Sequence, residues 1–429
     1  MDFSKTRTHL AMGIPWVSAC PTIRNFTPQP RRRLLRVLVL APQPFFQLRG
    51  TPIATKLLLE RLSEGGYQVD LLTLHEGTDV DLPRCQIHRI PRIPWVKGIP
   101  PGFSIKKLIC DVVMLVTAWQ LCRKQNWDVI HAIEESVFIA WLLKKRFGIP
   151  YVYDMDSSLP EQLADTVPVA RSLIPLAQRF EAVMIAGSHG VMTMCKSLED
   201  LARRYAKDAI VVRVEDFSLL SDANAEAPAV LESLDGPIIM YVGNLQSYQG
   251  IDLLLDSFAK VQVIHPHARL VICGGSPKDV TRYRKYARYV GIDRRTHLLG
   301  VCDLSMLMSY LKRADVLVSP RLNGRNTPMK IYSYLDSGTP VVATQIPSHS
   351  QVLSDNVAVM VSPNVNSMSE AISQVLDCPA EGIAMGKRAQ QYVRDHFCPD
   401  AALETIDNFY AELKMQLRPA TADEETVLA

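Results

Sequence analysis

Residues 319–344, SPRLNGRNTPMKIYSYLDSGTPVVAT, hold the densest set of groups able to do chemistry. Arg321, Arg325 and Lys330 surround a Gly-Arg-Asn-Thr-Pro turn that also contains Asn326 and Thr327. Pro328 suits the first turn of a helix, where a missing N–H is no loss. Cations beside such a junction form a cradle for a diphosphate, because side-chain charge and main-chain N–H groups converge on the anion. Two glycine loops carry the same theme. Gly50 precedes Pro52 and a helical stretch in PQPFFQLRGTPIATK; Gly243 and Gly250 frame Asn244 in VGNLQSYQGID, and Gly274 follows in CGGS. Glycine there lets backbone amides approach an anion closely. His131 stands in WDVIHAI ahead of Glu134 and Glu135; it is a candidate active-site group or a hydrogen-bonded strand-end His.

These loops must be held by regular elements, and the pattern of those is clear. RVLVLAP (36–42), QVDLLTLH (68–75), WDVIHAI (127–133), IPYVYDMDS and GVMTMC (190–195) read as strands, most of them apolar almost throughout, as strands buried between two helix layers are. Amphipathic segments alternate with them, such as ATKLLLERLSEGGY (54–67) and SLEDLARRYA. SDANAEAPAVLESLDG (221–236) reads as a linker, after which the alternation restarts with PIIMYVG (237–243), ARLVICGG (268–275), THLLG, ADVLVSP, TPVVAT and AVMVSP. The expected layout is a leader at 1–33, one α/β domain over 34–220, a second over 237–398, a helix over 399–415 and a polar tail at 416–429. Two parallel, doubly wound sheets place their loops around a central cleft, and ligands in open α/β sheets bind at the carboxyl edge.

Composition narrows the function. The chain has 429 residues, 48% hydrophobic and 21% charged, with a formal charge of only +3. The leader holds six Lys/Arg against one acid, so the rest is near neutrality, unlike a nucleic-acid-binding surface. The nine cysteines form no Cys-x-x-Cys and sit mostly in apolar runs, as free thiols in a reducing compartment do. No run reaches the roughly 18 apolar residues of a spanning helix, and the first 20 residues lack an apolar core of signal-peptide type. No Gly-x-Gly-x-x-Gly follows the first strand, which argues against a dinucleotide cofactor.

Several segments together carry a family resemblance: FFQLRGTP, DVIH at 128–131, YVGNLQSYQGIDLLL at 241–255, and TPMKIYSYLDSGTPVVAT followed by QVL. Over roughly residues 36–400 the chain resembles retaining GT-B glycosyltransferases of family 4. The resemblance implies two Rossmann-like domains facing a cleft, the second holding a nucleotide-sugar and the first an acceptor, with the last helix crossing back to the first. It implies sugar transfer to a glycan, a lipid-linked or a small-molecule acceptor, in cell-surface polysaccharide or glycolipid synthesis. No cofactor or metal is implied, because cations and helix ends neutralise the leaving diphosphate; the implied mechanism is front-face attack.

The chain departs from the family pattern in places. The two glutamates common around the donor helix fall at Arg325 and Ser333; the Arg and Lys usual in the second glycine loop fall at Asn244 and Gln249. The second His of His-x-His is Ile133. Catalysis would then rest on Lys330, Arg321 and His131, with Gly50, Gly243, Asn244, Gly274, Arg325, Asn326, Thr327 and Ser333 around the donor. A non-catalytic GT-B binding protein and a nucleotide-sugar epimerase remain the alternatives. Asp154-Met155-Asp156 has the spacing of a metal motif, but we read it as an acceptor contact or cap and expect no metal. The basic leader, PRIPWVKGIPPGF and Lys106-Lys107 suit contact with an anionic membrane surface, which makes the expected location cytoplasmic and peripheral.

Overall fold

The computed structural model describes residues 34–47, 50–99, 104–160, 174–220, 229–324 and 326–417. The leader, Arg325 and residues 418–429 lie outside them.

Two all-parallel sheets organise the chain. The first contains β1 (Arg36–Ala41), β2 (Gln68–Thr73), β3 (Cys85–Arg89), β4 (Val129–Ile133), β5 (Tyr151–Met155), β6 (Gly190–Thr193) and β7 (Ile210–Arg213), in the order 3-2-1-4-5-6-7. The second contains β8 (Ile238–Val242), β9 (Arg269–Cys273), β10 (Thr296–Gly300), β11 (Val316–Ser319), β12 (Val341–Thr344) and β13 (Val359–Val361), in the order 10-9-8-11-12-13. The central strands are wholly buried because helices cover both faces, and each sheet has an apolar cluster on either side. Strand order reverses between β1 and β4 and again between β8 and β11. At such a reversal the flanking helices leave on opposite sides and open a crevice.

Local chemistry sets the helix ends. Ser104 accepts from the Lys107 amide at 3.1 Å to open Ile105–Lys124, and Ser276 with Asp279 forms a reciprocal cap for Pro277–Tyr289. Gly148, at φ 73°, stops Val137–Phe147 behind three basic residues.

The last helix, Pro399–Leu417, lies on the first sheet. Its Phe409 and Tyr410 are buried there, and Asp407 pairs with Arg61 of the Gly50–Glu64 helix, accepting from Nε at 2.9 Å. Gly190 permits the approach, since a β-carbon on it would meet the Phe409 ring at 2.5 Å.

The structure corrects part of the linker reading. Residues 229–232 form a short helix, and Leu231 and Leu234 are buried in the core of the second domain. Their apolar spacing outweighs the polar composition around them.

Candidate active site

At the mouth of the second sheet, Gly243 leaves β8 with φ 150° and donates to the Cys273 carbonyl at 3.0 Å. Gly274 closes on it so tightly that a β-carbon there would lie 1.9 Å from the Gly243 oxygen. Lys330 opens the short helix Lys330–Asp336. Its ammonium lies 4.1 Å from the Tyr241 ring centroid and donates to Gln249 Oε1 at 2.8 Å, and its Cδ passes 3.5 Å from where a Gly243 side chain would begin. Burial, helped by the charge of Arg321, pulls its pKa well below the usual lysine value. No carboxylate among the described residues pairs with it. An anion beside this glycine turn would favour the protonated form that burial and Arg321 disfavour.

Arg321 has a different position from the one its charge suggested. It is 6% exposed, and its guanidinium turns into its own loop. Nε donates to the Asn323 carbonyl at 2.7 Å, Nη1 to the Asn326 carbonyl at 3.1 Å and Nη2 to Asn326 Oδ1 at 3.0 Å. Gly324, at φ 125°, leaves room for Nη2, which a β-carbon would meet at 2.1 Å. The fork therefore shapes the loop that carries Lys330.

Below them lies a group that sequence reasoning missed. His349 is fully buried, donates from Nδ1 to the Thr344 carbonyl at 2.7 Å and accepts at Nε2 from the Ser319 hydroxyl at 3.0 Å. The Thr344 hydroxyl in turn bonds the Arg321 carbonyl. Burial pulls the His349 pKa down to about 3, against the Thr344 bond and with help from Lys330 and Arg321. Only a lone His in PSHS marked it in the sequence.

Other predicted donor residues are brought to the same mouth with varied engagements. Asn244 is exposed and accepts at its carbonyl from the Tyr241 hydroxyl at 2.6 Å. Thr327 is buried in the loop. Asn326 holds Arg321 and approaches Met194 of the first domain at 3.9 Å. Ser333 is buried, and its hydroxyl accepts from the Leu219 amide at 3.1 Å where the chain passes between domains, so it serves the crossing. Ser197 in the first domain donates its amide to Gln351 of the second at 3.0 Å.

Gly50 faces this mouth from the other side. It opens the 15-residue helix Gly50–Glu64, and Met329, next to Lys330, reaches within 3.8 Å of the position of a Gly50 side chain. Beside it the first sheet presents carboxylates. Asp156 hydrogen-bonds Thr51 and is raised well above the carboxylate range by burial, then by Asp154, Glu134 and Asp216. Asp216 is pushed up to about 7 by burial and by Asp154 and Glu215. Glu134 sits at the strand-order reversal with φ 50°, a strained value for a residue with a side chain. Its carboxylate, with that of Glu135, holds buried Lys107 at 3.3 and 2.6 Å. Lys107 thus points inward, which removes it from the outward-facing pair read from the sequence.

His131 does not reach the surface. It is fully buried, with Nδ1 2.8 Å from the Tyr410 hydroxyl and Nε2 3.1 Å from Asp154 Oδ2. The first Asp of Asp-x-Asp is thus tied to this His rather than open to an ion. The described residues contain no metal-ligating cluster.

Residues 49–214 match the family model of the glycosyl transferase 4-like domain, and residues 223–392 that of glycosyl transferases group 1. The chain belongs to the family 4 GT-B glycosyltransferases. Among curated proteins it is 25% identical to a D-inositol 3-phosphate glycosyltransferase of Corynebacterium aurimucosum, over 82% of this chain and 88% of that one. Among solved structures, a sucrose-phosphate synthase from Thermosynechococcus elongatus aligns with TM-score 0.74 at 20% identity, covering 89% of this chain and all of that one. The Anabaena protein HepE in complex with UDP and glucose aligns with TM-score 0.68 at 13% identity, over 89% and 100%. The glycosyltransferase fold and sugar-transfer activity are those read from the sequence.

Proposed function

We propose that this glycosyltransferase takes its sugar from a nucleoside-diphosphate donor at the mouth of the second sheet. It passes the sugar, with retention at the anomeric carbon, to an acceptor hydroxyl resting on the first, in glycolipid or polysaccharide synthesis. The observation that carries the reading is Lys330: half-buried, depressed in pKa, without a carboxylate partner among the described residues and set between Gly243 and Gln249. A diphosphate restores its proton and satisfies it. HepE, of like fold, holds UDP, which supports the same class of donor here.

When the glycosidic bond breaks, negative charge builds on the β-phosphate and positive charge on the sugar ring. Preorganised donors at that phosphate lower the barrier most. Lys330 supplies one from the second domain, and the amides that open the Gly50–Glu64 helix supply others from the first. Arg321 keeps the loop in shape, while His131, locked between Asp154 and Tyr410, positions Asp154. The diphosphate oxygen receives the acceptor proton on the same face that it leaves. Charge neutralisation by side chains serves in place of a metal or cofactor. Incubation with UDP-, GDP- and ADP-sugars, with and without acceptor, tests this. Slow donor hydrolysis is expected from one of the three; conversion of the donor to its epimer, or no turnover of any, would contradict it.

The acceptor side sits at an anionic membrane on the cytoplasmic face in this reading. Ile105, Leu108, Ile109, Val112 and Val116 form an exposed apolar stripe along one helix, with Trp95 76% exposed nearby in sequence and Lys97 and Lys106 exposed beside them. The eight described cysteines are free, which supports a reducing compartment. No described helix is long and apolar enough to cross a membrane. Flotation with phosphatidylglycerol vesicles tests the stripe. Val112→Glu is expected to abolish binding, and unchanged flotation would remove this surface from the account.

A further inference from the structure

The ends of β9 and β10 carry two thiols for which sugar transfer has no use. Cys273 closes β9, and its register partner Gly300 closes β10; Cys302 follows two residues later. The Cys273 side chain is fully buried, and the Cys302 thiol beside its register partner Gly300 is the neighbour that acts on it most. Cys302 is half-buried, lies 3.6 Å from the Gly300 carbonyl and also receives a hydrogen bond from Tyr310. Both are free thiols.

The backbone around this pair is the glycine turn beside Lys330. The Cys273 carbonyl accepts from the Gly243 amide at 3.0 Å, and the Gly274 amide donates to the Gly300 carbonyl. Gly274 and Gly243 are packed without space for a methyl group between them. A displacement of Cys273 is therefore passed directly to the turn.

We propose that Cys273 and Cys302 form a reversible disulfide in response to peroxide, and that this bond shuts the nucleotide turn. The inference rests on the assignment of that turn to the donor. Cys302 is the half-buried thiol and Cys273 the fully buried one, so peroxide reaches Cys302 first, and its neighbours Cys273 and Tyr310 lower its pKa against partial burial. The Cys302 thiolate takes an oxygen from hydrogen peroxide and becomes a sulfenic acid, and the departing hydroxide picks up a proton to become water. The Cys273 sulfur then attacks the sulfenic sulfur, gives up its proton, and a second water leaves. Two thiols and one peroxide thus become one disulfide and two waters. A sulfur–sulfur bond of about 2 Å is far shorter than the contact between hydrogen-bonded sulfurs. Closing it draws the end of β9 toward the residues after β10 and takes the Gly243 amide with it.

The test uses the full chain, hydrogen peroxide, peptide mass mapping and calorimetric titration with UDP. The expected product is a peptide pair joined through Cys273 and Cys302, two mass units lighter than the two reduced peptides together. UDP affinity should fall at least tenfold and return on addition of dithiothreitol. Cys302→Ser and Cys273→Ser, each checked for folding by circular dichroism, should keep their UDP affinity under the same peroxide. Absence of this cross-link, or a cross-linked protein with undiminished affinity, would overturn the proposal. A reduced protein that binds no UDP, GDP or ADP would instead sink the donor reading and the coupling with it, while the mass still reports whether the bond forms.

Discussion

The two sheet mouths are alike in construction and opposite in charge. The first presents Asp154, Asp156, Asp216 and Glu134; the second presents Lys330 with Arg321 behind it. Glu134 follows β4, and Gly243 beside Lys330 follows β8, each a strand at which the order reverses. The same physics acts on each, since burial penalises the charged form. It raises Asp156 and Asp216, and it lowers Lys330 and His349. The cationic mouth recovers its charge when an anion arrives. In the acidic mouth the carboxyls of Asp156 and Asp216, raised by burial, can give as well as take hydrogen bonds, as the proposed hydroxyl-rich acceptor requires. In the proposed reading, like scaffolds become donor and acceptor sides through a few side chains at equivalent edges.

The largest break in this contrast should come from Lys330→Ala. Turnover of the donor is expected to drop by more than about a hundredfold, the scale of one lost charge-stabilising donor, with the circular dichroism spectrum unchanged. Activity within about threefold of wild type would refute the role of Lys330. Arg321→Lys keeps the charge but loses the planar fork that holds Asn323 and Asn326. Donor affinity is expected to weaken about tenfold, measured by titration with UDP; unchanged affinity would show that the fork does not shape the site.

A smaller effect concerns the support beneath the cations. The unfolded chain binds a proton at His349 near pH 6.5, whereas the folded chain holds out to about 3. Between these values the unfolded state carries more protons, so stability falls as pH falls through that window, by up to about 1.4 kcal/mol per unit. Urea melts across pH 6.5 to 4 should show a shallower slope in His349→Gln, and parallel slopes would contradict the assignment. The smallest effect should come from the other mouth. Asp216→Asn is expected to leave UDP affinity within about twofold of wild type. It should also remove a loss of stability that the wild type shows as pH rises from the ordinary carboxylate range to about 7.

Much of the fold was legible because strands buried on both faces are apolar throughout, as in RVLVLAP and ADVLVSP. The edge strands β3 and β7 carry Gln86, His88 and Arg89, or Arg213, and are only partly buried. They lack that signature. Glycine turns and Lys330 stood out by residue type. What could not be read was direction. Arg321 and Ser333 look like ligand groups in a string of letters, yet one folds into its own loop and the other holds Leu219. Gln249 and Tyr241 meet Lys330 only after eighty or more residues of chain have folded between them. His131 was visible as a strand-end His, while Tyr410, its partner 279 residues on, was not.

The central claim is that Lys330, depressed by burial and by Arg321, is recharged by the leaving diphosphate. Calorimetric titration with UDP at pH 8, repeated in buffers of different ionisation heats, reads this directly. The wild type should take up a fraction of a proton that is absent in Lys330→Met. Equal proton exchange in the two proteins would contradict the claim.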